Sequence, residues 1–158
     1  MKLFKKKSEM DVYFLIDPIL VSEKIKKWIE KNDNLIVYKL FDSTINSHID
    51  LYASPLLINV SKLSEKDINN FLFNTLKEPV VNILVVDSGK DIIRNLKDMM
   101  FPRVKEKMTF FRFYDPIFFS KIDQIFCNSK LFNDFYEVYS LVESYENYEC
   151  ELLLRKVV

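Results

Sequence analysis

Glycine and histidine each occur once in the chain, as Gly89 and His48, and cysteine twice, as Cys127 and Cys150. A loop that cradles phosphate needs several glycines, so that the backbone can approach the ligand closely. The one stretch of that kind, "LVVDSGKD" (84–91), has Leu84 where the first glycine belongs and Asp91 where Ser or Thr belongs. One histidine and two distant cysteines do not make the usual zinc sites. A Ser-His-Asp arrangement would rest on His48, which lies in the polar stretch "FDSTINSHID" and reads as a surface loop residue. Two cysteines give no disulfide framework. No stretch approaches the ~18 apolar residues of a membrane span. "MKLFKKKSEM" has no apolar run behind its lysines, so it is not a secretory signal. These absences set the expectation of a soluble cytoplasmic protein with reduced thiols, no metal, no cofactor and no membrane contact.

An excess of one charge is also missing. Lys plus Arg equals Asp plus Glu, at 23 each. Nucleic-acid binders meet their ligand with surplus positive charge, so no nucleic-acid partner is expected. The one basic run, Lys5 to Lys7, reads as part of a solvated N-terminal tail over residues 1–10, with 11–158 as a single domain.

Aromatic residues are abundant: 14 Phe, 8 Tyr and 1 Trp among 158 residues, in a chain that is 49% hydrophobic. A chain of this length buries roughly 70% of its unfolded surface without help from metals or disulfides. Aromatics beyond the needs of the core favour interfaces.

Hydrophobic spacing divides the chain into alternating elements. "DVYFLID" (11–17) reads as a buried strand, with Asp17 as a cap and Pro18 in the first turn of the following helix. Val21, Ile25, Trp28 and Ile29 mark that helix's inner face. "LIVYKLF" (35–41) and "SPLLINV" (54–60) are strands. Ser64 and Asp67 make a capping box, with Leu63 and Ile68 as its hydrophobic staple. Ile68, Phe71, Leu72 and Leu76 face the core from the helix that follows. "VVNILVVD" (80–87) is the most apolar strand, and Ser88 with Asp91 repeats the capping pattern before a helix carrying Ile92, Ile93, Leu96, Met99 and Met100. "KMTFFRFYD" is a strand, "PIFFSKIDQIF" a helix, and "SKLFNDFY" a further helical turn. "EVYSLVES" and "YECELLLRKVV" alternate around "YEN" as a final hairpin. This order points to an α/β domain with a mixed, mostly parallel sheet of about 5–7 strands flanked by helices and ending in a C-terminal β-hairpin.

The stretch "FFRFYDPIFF" (110–119) concentrates six aromatics around one arginine. Asp115 is placed to cap a helix and Pro116 to begin it. As a strand, the segment would send Phe111 and Phe113 to one face, and Phe110, Arg112 and Tyr114 to the other. Neither face is polar, so Arg112 is expected to be partly buried and to need a carboxylate, with Asp17 and Asp87 at neighbouring strand ends the nearest choices.

Arg112, Phe113, Tyr114, Asp115 and Pro116 form an Arg-Phe-Tyr-Asp-Pro string that resembles the hallmark of the effector chaperones of type VI secretion systems. "YFLIDPIL" is similar to that family's opening strand, and "YASPLLINVS" to its second block. The resemblance runs from about Val12 to Val142. It implies a non-enzymatic adaptor that binds a cognate toxic effector in the cytoplasm and helps load it onto the secretion spike, with the spike protein a further possible contact. Phe111 to Pro116 would then be motif or partner-binding residues. Phe132, Phe135, Tyr136, Tyr139, Tyr145 and Tyr148 supply a candidate partner surface, against the plainer reading of core packing and cross-strand pairs. Two other readings stay open at this point. One is an immunity-type protein that neutralises a toxin. The other is a metal-dependent enzyme holding Mg²⁺ on Asp17, Asp87 and Asp115 at strand ends.

Overall fold

The computed structural model describes residues 4–17, 22–41, 54–75, 81–100, 103–104, 107–108, 112–115, 137–146 and 149–156. The elements are β1 (Met10–Ile16), α1 (Glu23–Glu30), β2 (Ile36–Lys39), β3 (Leu56–Asn59), α2 (Glu65–Thr75), β4 (Val81–Asp87), α3 (Ile93–Met100), β5 (Arg103–Val104), β6 (Lys107–Met108), β7 (Glu137–Glu146) and β8 (Glu149–Lys156). Six strands form one sheet in the order β2-β3-β1-β4-β7-β8, and β5 and β6 form a separate two-stranded ribbon.

Every pairing in the main sheet is antiparallel. The expectation of a mostly parallel sheet is therefore corrected, although the elements follow the expected alternation. A strand–helix–strand unit runs its two strands in one direction, but it does not force them to be neighbours. Here β1-α1-β2 leaves a slot that β3 fills, and β3-α2-β4 leaves a slot that β1 fills. Interleaving two split β-α-β units in this way gives the ferredoxin-like arrangement. The β7–β8 hairpin extends it beyond β4, and this hairpin is the one expected from the alternation around "YEN".

Period-two alternation sorts β1 onto two faces. Val12, Phe14 and Ile16 join Leu56, Ile58, Val81, Ile83 and Val85 under Ile25 and Ile29 of α1 and Ile68, Phe71 and Leu72 of α2. Tyr13 and Leu15 join Leu57, Leu84, Val86 and Val138 under Ile92, Leu96, Met99 and Met100, with Phe113 and Tyr114 in the same cluster. The Met99–Met100 pair fills the core. The near-continuous apolar run of β4 follows from cover on both faces, which an antiparallel strand experiences as fully as a parallel one.

Local chemistry sets the element ends. Ser64 caps α2: its Oγ accepts from the Asp67 N–H at 3.1 Å and donates to Asp67 Oδ2 at 2.6 Å. Leu63 and Ile68 both sit in the core beneath that turn. At α1 the expected start is corrected. Its N-cap is Ser22, and Asp17 is committed elsewhere. At α3 Asp91 Oδ1 accepts the Ile93 N–H at 3.0 Å, while Ser88 belongs to a turn closed by Lys90 N–H to Asp87 O. Gly89 takes φ of 79° in that turn, the left-handed position that favours glycine.

Residues read as a solvated tail are held against the domain. Phe4 is buried, and its N–H and C=O bond the side-chain amide of Asn69, both at 2.9 Å. Lys6 Nζ donates to the carbonyls of Ser61 and Leu63, and Lys7 pairs with Glu137 at 3.1 Å. The strand expected over "KMTFFRFYD" is reduced to Lys107–Met108 among the described residues, and Arg112–Asp115 is a turn closed by Asp115 N–H to Arg112 O at 3.3 Å. The helix expected from Pro116 and the turn over "SKLFNDFY" lie outside the described residues.

Phe14 packs with its ring 5.0 Å from Phe71 in the two-helix layer. Phe14→Ala is expected to cost about 3–5 kcal/mol in urea unfolding. Ile36→Ala on exposed β2 should stay within about 0.5 kcal/mol, and Ser64→Ala should cost about 1 kcal/mol.

Candidate functional site

Asp17 follows directly on β1, and its side chain is fully buried. Alternation puts it on the same face as Tyr13 and Leu15, beneath the turn at Arg112–Asp115. A carboxylate removed from water needs a cation and hydrogen bonds. Arg112 supplies both: its Nη2 lies 2.5 Å from Asp17 Oδ2. The guanidinium also stands 5.8 Å from the centroid of the Tyr114 ring. At that range the ring face adds a modest cation–π attraction.

The turn is tied to the sheet a second time. Asn82 is fully buried in β4, opposite Leu15 of β1, and its Nδ2 donates to Tyr114 O at 2.8 Å. Phe113 and Tyr114 are both buried in the α3-side core, their rings 5.9 Å apart and edge-on. The expectation that these two side chains face opposite ways is corrected: a turn, unlike a strand, lets consecutive side chains enter one core. Asp115 is half-buried.

The electrostatics follow from the geometry. The Asp17 hydrogen bond raises the Arg112 pKa above its ordinary value, against burial, which lowers it. Burial raises the Tyr114 phenol above 10.0, helped by the Asp17 charge and opposed by Arg112. Burial likewise raises Tyr13, helped by Asp11.

Of the residues singled out from sequence, Arg112, Phe113, Tyr114 and Asp115 come together with Asp17. Phe111, Pro116, Phe132, Phe135, Tyr136 and Tyr148 lie outside the described residues. Tyr139 and Tyr145 lie on β7, paired with Lys156 and Cys150 of β8. The carboxylate set proposed for Mg²⁺ does not assemble. β1 and β4 run antiparallel with Met10 opposite Asp87 and Ile16 opposite Val81, so Asp17 and Asp87 sit at opposite ends of the pair. At ~3.4 Å per residue, the seven residue steps from Met10 to Asp17 span about 24 Å. Among the described residues, no three His, Cys, Asp or Glu side chains gather as a metal site would require. No helix among them is long and apolar enough to cross a membrane.

Asn82 is the site residue that sequence reading passed over. Its signal was an amide inside "VVNILVVD", where an apolar side chain would be the default. A buried amide there must find a partner, and it finds a backbone carbonyl.

A second surface feature lies on the other side of the sheet. Between α1 and α2 runs a groove of 670 Å³, with Ile25, Trp28, Leu63 and Phe71 below and Lys24, Lys27, Lys31, Asp67, Asn70 and Asn74 at its rim. No protein-family model matches the chain, and no curated protein or solved structure matches it.

Removing Arg112 strands the buried carboxylate of Asp17. Arg112→Ala should destabilise by about 3 kcal/mol, the low end for a buried pair because Arg112 keeps 42% of its side chain exposed. Asp17→Asn should cost less in that background than in the parent, a coupling that urea melts of the four proteins would read. For Tyr114 the raised pKa means that the native state holds the phenolic proton more tightly than the unfolded chain. Its contribution is therefore complete below about pH 10 and declines as pH rises through the folded pKa. Tyr114→Phe should accordingly gain stability relative to the parent above about pH 10, and absorbance titration should show one fewer late-ionising tyrosine.

Proposed function

We propose that this chain is a non-enzymatic adaptor that binds one cognate effector of a type VI secretion system in the cytoplasm and helps load it onto the secretion spike. The observation that carries this reading is the Asp17–Arg112 pair. Arg112 belongs to "RFYDP", the string on which the family resemblance chiefly rests, and Asp17 to "YFLIDPIL", the block similar to the family's opening strand. They lie far apart in sequence, yet they interact in one part-buried constellation, with Asn82 holding the adjoining turn through the Tyr114 carbonyl.

Arg112 is suited to a double role. One edge of the guanidinium is committed to Asp17, while 42% of the side chain is open to a partner. An arginine held in place by a buried carboxylate loses little side-chain entropy when a second contact forms, which is how interface arginines gain weight. The resemblance also directs attention to the C-terminal aromatics, of which Tyr139 and Tyr145 fall on the added hairpin beside the core.

The test is a tagged pull-down at native expression followed by co-expression of whatever co-purifies. The adaptor reading expects a single near-stoichiometric large protein that is degraded or insoluble without this chain. It also expects cells lacking this chain to stay viable while that protein fails to be secreted. Loss of viability on deletion would instead mark an immunity protein, and absence of any stoichiometric partner would sink both. Arg112→Lys, which keeps the charge and loses the fork, should remain folded and capture several-fold less partner than the parent.

A further inference from the structure

The groove between α1 and α2 lies on the face of the sheet opposite Arg112, and its two walls differ in charge. Lys24, Lys27 and Lys31 line the α1 wall at i, i+3 and i+7. That spacing forms one stripe about 10 Å long. The α2 wall carries Asn70 and Asn74, with Asp67 as its only carboxylate. Lys24 Nζ donates to Asn74 Oδ1 at 3.2 Å across the groove. None of the three lysines is salt-bridged among the described residues, whereas Lys26, off the stripe, is paired with Glu23.

The floor is apolar and packed ring against ring. Trp28 and Phe71 pack with centroids 4.0 Å apart, and Phe14 supports both from β1. Ile25, Leu63 and Phe71 are buried, while Trp28 is only partly covered. Lysine stems can fold over such a floor while their ammonium groups stay in water. A half-covered tryptophan flanked by lysines that make no salt bridge is the composition of a recognition groove with an apolar anchor and a charged rim.

The walls restrict what fits. Both are helices whose backbone groups are satisfied internally, so the groove offers no edge for an added strand. An occupant must bring its own backbone hydrogen bonds, which an amphipathic helix does. Base stacking is disfavoured because the Trp28 ring already packs, tilted by 35°, against Phe71 at 4.0 Å.

We propose that the α1–α2 groove is a docking site for an acidic amphipathic helix of a partner protein. Apolar side chains at i, i+3/i+4 and i+7 of that helix settle on Trp28, and Asp or Glu at the flanking positions meet Lys24, Lys27 and Lys31. The inference stands on the groove's own chemistry and does not rest on the adaptor reading.

Trp28 is the only tryptophan in the chain, so its emission reports on the groove directly. The probe is a synthetic, Trp-free helical peptide of about five turns, with leucines on one face and glutamates flanking them. Its glutamate-to-lysine counterpart and a single-stranded oligothymidylate serve as comparisons. The expected result is a saturable shift of Trp28 emission with the acidic peptide that weakens as salt is raised. Lys27→Glu and Lys31→Glu should each weaken binding about tenfold and improve binding of the lysine peptide. Arg94→Glu, an equal charge change at an exposed position of α3 across the sheet, should leave it unaltered. Circular dichroism melts confirm that each variant is folded. No saturable shift, equal weakening by Arg94→Glu, or tighter lysine-dependent binding of the oligonucleotide would each overturn the proposal.

Discussion

Strand β1 is buried on both faces from Val12 through Ile16, and the chain continues buried to Asp17. That constraint organises the rest. A strand so placed must be paired on both edges, and β3 and β4 do this. It must also be covered on both faces, which requires α1 and α2 on one side and α3 with the Arg112–Asp115 turn on the other. Because the buried run ends in a carboxylate, the cover on the second side has to include a cation. The apolar core and the ion pair are thus two consequences of one placement.

The turn at Arg112–Asp115 shows how such a placement gains specificity. Two buried rings alone would let the segment slide over an apolar face. Asp17 and Asn82 remove that freedom, one through a guanidinium and the other through a carbonyl, since each polar group is satisfied in one register only. Exposed side of Arg112 and buried side of the turn are fixed together. What a partner would meet at this surface is therefore set by β1 and β4 rather than by the turn itself.

Much of the element order was legible because it rests on local patterns. The Ser64 cap, the staple of Leu63 and Ile68, the alternation in β7 and β8, and the helical spacing of Leu96, Met99 and Met100 depend only on neighbours in sequence. Partner choice between strands does not. Nothing local to β1 tells it to lie between β3 and β4, and an apolar run such as that of β4 reads the same in either direction. The pairing of Arg112 with a strand-end carboxylate could be anticipated from the cost of burying charge. Which carboxylate it took depended on strand direction, because the antiparallel order carries Asp87 to the far end. At Arg112–Asp115 a turn replaces the expected strand for a related reason: its bonds run to Asn82 and Asp17, neither of which is near in sequence.

The interleaved strand order also governs how the chain can be made. β1 is synthesised first, yet one of its edges waits for β3 and the other for β4, with Tyr13 eventually opposite both Asn59 and Leu84. Neither β-α-β unit can close by itself, since each holds a strand of the other. Contacts of such long sequence separation slow folding and postpone cooperativity until the last central strand is present. During synthesis, the apolar run of β1 therefore emerges well before the strands that pair with it, and its surface stays uncovered through that interval.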